Sequence, residues 1–237
     1  MRRRLDVKRL LLKVSGEVLG GKEVSVNFNR VERFAGELKS AYDTGTEVAV
    51  VVGGGNIVRG YGMSRQGVER VTGDNMGMLG TIINALALQS SLEKLGVETR
   101  VMTAIAMDEF AEPYIRRRAL NHLEKGRFVI LAGGTGNPFF TTDTAAALRA
   151  AEIKADALFK GTKVDGIYSS DPVTNPDAEM IAELSYLDVL KDEIGVMDAT
   201  AVTLCKENNI PIIVFNFVKE GNLKRLLEGE NLGTIVC

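Results

Sequence analysis

The stretch RFVILAGGTGNPFFTTDTAAA, residues 127–147, predicts a strand, a loop and a helix start in immediate succession. Its first six residues form an apolar run typical of a buried strand. The TTD triplet predicts a helix start, because Thr and Asp side chains accept hydrogen bonds from free backbone N–H groups there. The loop between them holds three glycines, an asparagine and two adjacent phenylalanines. This is more polar and aromatic chemistry than a turn requires, so we expect the loop to bind a ligand.

Strand-like and helix-like segments alternate along the rest of the chain. Further strands are expected at residues 9–14, 47–52, 98–103, 156–159 and 211–216. Helices are expected at residues 28–45, 74–95, 112–126, 142–153, 186–194, 198–208 and 222–229. Apolar strands that alternate with helices predict an α/β protein with a mainly parallel sheet covered on both faces. Residues 160–185 are rich in Gly, Pro, Asp and Asn, which indicates either a long loop with a hairpin or a boundary between two lobes.

Composition excludes several classes of protein. The 237 residues suit one large domain or two small ones, and 45% are apolar, which is enough for a core without disulfides. The formal net charge of −2 gives no sign of a nucleic-acid or membrane partner. The uncharged segment 75–92 carries too many amides and hydroxyls for a membrane span. Two cysteines provide neither a disulfide framework nor zinc spacing, which favours a cytoplasmic protein.

Four predicted strands end in loops that contain glycine and polar residues. These loops read KVSGE (13–17), GGGNIVRG (53–60), GGTGNPFFTTD (133–143) and KGTKVDG (160–166). Because the carboxyl ends of parallel strands meet at one edge of a sheet, where ligands bind, we expect all four at one site.

Glycine lets the backbone approach an anion closely, so Gly53, Gly54 and Gly55 are candidates for binding phosphate. A tight strand-to-helix turn explains the triplet equally well, and the pattern matches neither the P-loop nor the dinucleotide-binding fingerprint. Lys13 would be costly to bury unpaired, so its ammonium is expected to face a phosphate, although a lysine can also protect a sheet edge. Arg59 follows the triplet closely enough to reach the same anion.

The remaining residues favour phosphoryl transfer over nucleophilic or zinc chemistry. His122 is the only histidine, and no nucleophile pairs with it in the sequence. The sequence offers three lysines at the ends of predicted strands (Lys13, Lys160 and Lys163), an arginine and scattered aspartates. In phosphoryl transfer the protein mainly positions two anions and neutralises charge, which suits this set. The sequence leaves open whether Lys160 or Lys163 faces the phosphates.

Several motifs together resemble the bacterial-type uridylate kinases of the amino acid kinase family. They are KVSGE, GGGNIVRG, GDNMGMLGT, TGNPFFTTDTAA, KGTKVDGIYSSDP and VMDATA, and they cover nearly the whole chain in order. The resemblance implies a three-layer α/β/α sandwich and ATP-dependent phosphorylation of UMP to UDP in pyrimidine biosynthesis. It also implies a single domain over 1–237, with an acceptor lobe at about 1–155 and an ATP lobe at about 156–237.

The resemblance implies roles for individual residues. The catalytic set is Lys13, Arg59, Asp143, Lys160 and Asp198, with the two aspartates holding basic side chains. ATP would meet Lys13, Val14, Ser15, Gly16, Gly55, Arg59, Thr162, Tyr168 and Asp171. UMP would meet Gly54, Asp74, Thr135, Gly136, Asn137, Pro138, Phe139, Phe140, Thr141 and Thr142. Mg²⁺ would bridge phosphates of ATP, with no metal ligand assigned to the protein.

The same resemblance implies a homohexamer built as a trimer of dimers, with UTP as an inhibitor at the substrate site. One departure concerns the segment VLGGKEVSVNF, residues 18–28, which is shorter and altered relative to the glycine-rich loop associated with activation by GTP. Regulation by GTP is therefore left open.

Three other hypotheses compete with this one. A relative that phosphorylates a carboxylate or carbamate would need positive charge in the acceptor loop, which here is neutral and aromatic. A nucleotide sensor or anion-binding protein on the same fold would not need Lys13, Arg59 and Asp143 together. A dinucleotide-dependent dehydrogenase would need an acid at the end of the strand near residue 100, and none is present.

Overall fold

A computed structural model describes residues 6–21, 24–58, 67–170, 174–175, 177–192 and 194–237. In these segments, no helix is both long enough and apolar enough to cross a membrane. The strands are β1 Arg9–Val14, β2 Glu47–Val52, β3 Thr99–Thr103, β4 Glu112–Pro113, β5 Phe128–Ala132, β6 Ala157–Thr162, β7 Ile167–Tyr168, β8 Met180–Ile181, β9 Glu183–Leu184, β10 Ile212–Asn216 and β11 Thr234–Val236. The helices are α1 Phe28–Tyr42, α2 Arg70–Lys94, α3 Arg116–Glu124, α4 Thr142–Glu152, α5 Tyr186–Lys191, α6 Ala199–Glu207 and α7 Asn222–Leu227.

Nine of the described strands form one sheet in the order β4-β3-β5-β2-β1-β6-β10-β11-β9. All neighbouring pairs are parallel except β10 and β11. The chain builds outward from β1 on one side and then crosses to β6 on the other side. The carboxyl ends of β1, β2, β5 and β6 therefore lie side by side in the middle of one edge, as the sequence predicts for a binding edge.

Side chains alternate between two hydrophobic cores, one on each face of the sheet. Leu10 and Leu12 of β1 pack in the core beneath α1, α2 and α7, whereas Leu11 packs in the core beneath α3, α4, α5 and α6. The central strands are apolar on both sides because both faces are covered, which explains their continuous hydrophobic runs. The predicted three-layer α/β/α sandwich with a mainly parallel sheet is confirmed.

Some predicted boundaries were wrong. The helix expected over 112–126 is a short strand at Glu112–Pro113 followed by α3, since Glu112 and Pro113 pair with the end of β3. Helix α2 begins at Arg70, four residues before its predicted start. The antiparallel strand β11 was not predicted, because three residues are too short to show periodicity. For residues 160–185 the sequence allowed either a loop with a hairpin or a boundary between lobes, and the antiparallel pair β7 and β8 corresponds to the hairpin.

Candidate active site

Two lysines and one carboxylate form a buried charged cluster at the central edge. Lys13 near the end of β1 pairs in register with Lys160 of β6. The Nζ atom of Lys13 lies 2.6 Å from Oδ1 of Asp143, and Nζ of Lys160 lies 2.8 Å from Oδ2. The three side chains are only 12–15% exposed. A carboxylate shared by two ammonium groups leaves the cluster with one excess positive charge, which suits the binding of an anion.

The environment shifts the protonation equilibria of this cluster. Burial by itself would raise the pKa of Asp143, but the ammonium groups of Lys13 and Lys160 outweigh burial and hold it below its ordinary value. Burial lowers the pKa of Lys160, and the charge of Lys13 acts in the same direction, whereas Asp143 opposes both. Asp143 is therefore ionised at neutral pH and is a counter-ion rather than a general base.

Asp198 supports this cluster from the next helix along the face. It caps α6 by accepting the N–H of Ala201 at 3.0 Å, and it accepts the hydroxyl of Thr144 at 2.8 Å. The hydroxyl of Thr141 donates to the second carboxylate oxygen of Asp198. Its hydrogen bonds therefore go to hydroxyls and a helix amide, and it fixes the start of α4 relative to α6. Lys160 also donates to the backbone carbonyl of Val196, which precedes Asp198 by two residues.

A cavity of 380 Å³, here called the α2 cavity, opens beside the charged cluster. Its walls are the glycine loop after β2, the first turns of α2 and the loop after β5. Its lining includes Gly54, Gly55, Arg70, Asp74, Thr135, Asn137, Phe140, Thr141 and Thr142. The structure thus brings together most of the residues expected to meet UMP, although Gly136, Pro138 and Phe139 do not line this cavity.

The loop 133–141 has a backbone that depends on glycine. Gly133, Gly134 and Gly136 have φ values of 76°, 58° and 80°. A Cβ at Gly133 would lie 2.8 Å from the Thr103 hydroxyl, so a side chain is excluded by space as well as by conformation. The N–H of Gly133 donates to Thr81 of α2 at 2.8 Å. The three glycines are explained by the sharp path of this loop between β5 and α4.

The aromatic pair in this loop is exposed, in contrast to the core packing that phenylalanines usually adopt. Phe139 is 63% exposed and Phe140 is 52% exposed. The N–H of Phe139 donates to Oδ2 of Asp74 at 2.8 Å, which joins the loop to α2. Phe140 lines the α2 cavity and is available to pack against a flat ring.

The loops after β1 and β2 touch closely, and only glycine fits between them. A Cβ at Gly16 would collide with the carbonyl of Gly53 and with the side chain of Asn56. Asn56 and the fully buried Asn84 of α2 exchange two amide hydrogen bonds, of 2.9 and 2.7 Å, and Asn84 also donates to the Gly53 carbonyl at 2.8 Å. Sequence reasoning missed this amide pair, because nothing local connects positions 28 residues apart.

A second cavity, of 530 Å³ and here called the β6 cavity, lies on the other side of the cluster. Its lining includes Lys160, Thr162, Gly166, Tyr168, Val196 and Val214. Thr162 and Tyr168, both expected to meet ATP, therefore lie in one cavity with Lys160. Lys163 points elsewhere: its side chain is 72% exposed and bonds to Glu17 at 2.9 Å. Arg59 and Asp171 lie outside the described residues.

Within the described residues, no group of three or more His, Cys, Asp or Glu side chains is arranged to hold a metal ion. The two carboxylates in and beside the charged cluster already have partners. Asp143 pairs with two lysines, and Asp198 accepts hydrogen bonds from two hydroxyls and a helix amide. These donors do not fit a metal bound by the protein itself.

The chain is similar to proteins of known structure over nearly its whole length. Residues 8–216 match the model of the amino acid kinase family. The structure of a UMP kinase from Bacillus anthracis is 45% identical, with a TM-score of 0.94, and the match covers 97% of this chain and 96% of that one. A UMP kinase from Ureaplasma parvum is 37% identical, with a TM-score of 0.90 and coverage of 100% and 99%. A uridylate kinase from Archaeoglobus fulgidus is 27% identical, with a TM-score of 0.72 and coverage of 96% and 99%.

Proposed function

Because the chain belongs to the amino acid kinase family, and within it to the bacterial-type UMP kinases, we propose that it transfers the γ-phosphoryl group of ATP to UMP. The products are UDP and ADP, as pyrimidine nucleotide biosynthesis requires. The observation that carries the proposal is the Lys13–Asp143–Lys160 cluster between two cavities. Thr142, next to Asp143, lines the α2 cavity, and Lys160 lines the β6 cavity.

In this proposal UMP occupies the α2 cavity. Phe140 packs against the uracil ring, and the hydroxyls and main chain of the loop 135–142 bind its polar atoms. Asp74 accepts hydrogen bonds from the ribose hydroxyls, and Gly54 lets the glycine loop approach the phosphate. The part of the lining that comes from the loop 134–142 is uncharged and includes Phe140, which supports a nucleotide acceptor over a carboxylate or carbamate, because a small anion would need positive charge in this loop.

ATP enters as its Mg²⁺ complex and occupies the β6 cavity. Thr162, Tyr168 and Asp171 meet the adenosine, and the loop Val14–Gly16 together with Gly55 surrounds the phosphates. Since Asp143 is paired with two lysines and Asp198 with two hydroxyls and a helix amide, Mg²⁺ would arrive with ATP as part of the substrate and would neutralise phosphate charge.

The reaction then needs positioning and charge neutralisation. An oxygen of the UMP phosphate bonds to the γ-phosphorus, and the bond from that phosphorus to the β–γ bridging oxygen breaks, with its electron pair, to leave ADP. The attacking phosphate is already ionised, so no general base is required. Lys13, Lys160 and Arg59 stabilise the charge on the transferred group, and Asp143 keeps the two ammonium groups side by side.

The proposal extends to the assembly and regulation of the protein. Helix α2 exposes Leu79 and Ile83 by 45% and 50%, which supports a contact between copies in a homohexamer built as a trimer of dimers. UTP would inhibit by occupying the α2 cavity, since it shares the uracil and ribose of UMP. Two lobes, at about 1–155 and 156–237, would carry acceptor and donor, joined through the pairing of β1 with β6. The protein would act in the cytoplasm.

A coupled ADP-release assay with MgATP tests the proposal. UMP, CMP, dTMP, aspartate and carbamate are offered in parallel. Turnover confined to UMP is the expected result. Turnover only with aspartate or carbamate would retain the fold and overturn the acceptor, whereas tight nucleotide binding without any turnover would favour a sensor.

A further inference from the structure

Arg70 is a charged residue in the wall of the α2 cavity that none of the roles above uses. It is the first residue of α2, and its Nε donates to Oδ2 of Asp74 at 2.7 Å. Its guanidinium carbon lies 5.8 Å from the ring centroid of Phe139. The N–H of Phe139 donates to the same Oδ2 atom. These contacts define the Arg70–Asp74–Phe139 cluster, which joins the helix to the end of the loop 133–141.

The loop requires such a restraint at this point. Phe139 has a φ of 73°, a conformation that is costly for an aromatic residue and persists only where neighbouring contacts enforce it. Its ring is largely exposed, so core packing does not hold it. The charge-assisted bond to Asp74 and the guanidinium against the ring are therefore the contacts that oppose relaxation of the loop.

The arrangement also differs from an ordinary ion pair on a helix surface. Lys39 of α1 and Asp43, the residue that caps the end of that helix, form a pair with the same four-residue spacing, and the acid is 53% exposed. Asp74 is only 16% exposed, while Arg70 is 47% exposed. Both hydrogen bonds of the cluster fall on Oδ2, so Oδ1 takes part in neither of them.

We propose that Arg70 is a positioning residue for the acceptor nucleotide. It fixes Asp74 so that Oδ2 holds the loop while Oδ1 is presented to the ribose hydroxyls. This inference rests on the proposed function, in which Asp74 meets the ribose. It assigns to Arg70 a role in selecting a ribonucleotide over a deoxyribonucleotide, exerted through Asp74 rather than through contact with the phosphate.

Steady-state kinetics test the inference. Arg70→Ala is expected to raise the KM for UMP about tenfold, the effect of losing one hydrogen bond to a charged group, while the KM for ATP stays within about twofold. The preference for UMP over dUMP should fall, because a misplaced Asp74 gains less from the 2′-hydroxyl. Arg70→Lys keeps the charge but loses the planar guanidinium, so its KM for UMP should lie between those of the wild type and Arg70→Ala. Equal changes in both KM values, or an unchanged preference for UMP over dUMP, would overturn the proposal.

A double-mutant cycle separates action through Asp74 from direct contact with UMP. If Arg70 works through Asp74, the variant with both Arg70→Ala and Asp74→Asn should have the same KM for UMP as Asp74→Asn alone. Additive effects of the two changes would instead mean that Arg70 binds the nucleotide independently, and the proposal would be rejected.

Hydrogen exchange provides a readout that does not depend on activity. In the protein without nucleotide, Arg70→Ala should speed amide exchange in peptides covering 137–141, and Lys39→Ala should leave them unchanged. Unchanged exchange in Arg70→Ala would refute the restraint on the loop. If the wild-type protein does not phosphorylate UMP, the proposed function fails, and the exchange experiment still tests whether Arg70 holds the loop.

Discussion

Lys13 and Lys160 occupy paired positions in neighbouring parallel strands, and their ammonium groups bind different oxygens of one carboxylate, that of Asp143. Two buried ammonium groups at adjacent positions would repel each other without this counter-ion. With it, they stand side by side at the carboxyl edge of the sheet, between the two cavities. A transferred phosphoryl group, whose charge is spread over three oxygens, is the kind of anion such a pair can stabilise.

The first prediction concerns Lys13. Lys13→Ala should reduce kcat about a hundredfold or more, because one charged donor aimed at the reacting group is worth about 3 kcal/mol. The substitution leaves Asp143 paired with Lys160, so folding should be retained and can be checked by thermal unfolding. Turnover near the wild-type rate would contradict a role for Lys13 in charge stabilisation.

The second prediction separates Lys160, which lies in β6, from Lys163, which directly follows that strand. Lys160→Ala should lower kcat by about the same factor as Lys13→Ala, since both ammonium groups belong to the cluster. Lys163→Ala should change kcat by less than about threefold, because an exposed ion pair such as that with Glu17 contributes little. Measuring kcat for both variants in parallel tests which lysine faces the phosphates. A larger loss in Lys163→Ala than in Lys160→Ala would assign that role to Lys163 instead.

The third prediction follows from the protonation of Lys160. Since burial lowers the pKa of Lys160 below the ordinary value of 10.5, the side chain loses its proton at lower pH than a free lysine does. The neutral amine cannot stabilise phosphoryl charge, so kcat should decline on the alkaline side before pH 10.5. Because a guanidinium stays charged there, the decline in Lys160→Arg should move to higher pH relative to its own plateau. The pH dependence of kcat in the two proteins checks this. If kcat declines at the same alkaline pH in both, the decline is due to a group other than Lys160.

The fourth prediction concerns the contact between the loops after β1 and β2. Gly16→Ala should weaken ATP binding and destabilise the fold, because the added methyl group meets the backbone of Gly53 and cannot be accommodated by a side-chain movement. Gly36→Ala is the matched control: this glycine lies within α1, and a Cβ there meets no atom within 4 Å. It should stabilise the protein by about 0.5–1 kcal/mol through helix propensity. Calorimetry and nucleotide titration measure both effects, and equal behaviour of the two variants would contradict the steric argument.

The fifth prediction tests the loop after β5. Asn137→Ala should raise the KM for UMP much more than the KM for ATP, because this exposed side chain lines the α2 cavity and not the β6 cavity. Its hydrogen bond within the loop is long, at 3.5 Å, so the free energy of unfolding should change by no more than about 0.5 kcal/mol. A comparable rise in both KM values would indicate a general disturbance of the site.

The sequence by itself determined the central strands, the α/β class and the edge of the sheet at which the candidate site lies. Continuous apolar runs predict strands buried on both faces, and glycine and hydroxyl residues after them predict loops that bind a ligand. These features depend only on neighbouring residues, so residue propensity and the spacing of apolar residues are enough to predict them. The start of α4 is one case, since the Thr141 hydroxyl does accept the N–H groups of Asp143 and Thr144.

Only the tertiary structure decided which of these residues lie together. Which lysine joins the charged cluster depends on strand register. Lys160 lies in β6 at the position that pairs with Lys13 of β1, whereas Lys163 follows β6 and is exposed to solvent. The contacts of Phe139 with Arg70 and Asp74 join distant parts of the chain, since Phe139 and Asp74 are 65 residues apart in the sequence. Such pairings arise from strand order and helix packing, which are fixed by burial of the whole core, and no local pattern in the sequence encodes them.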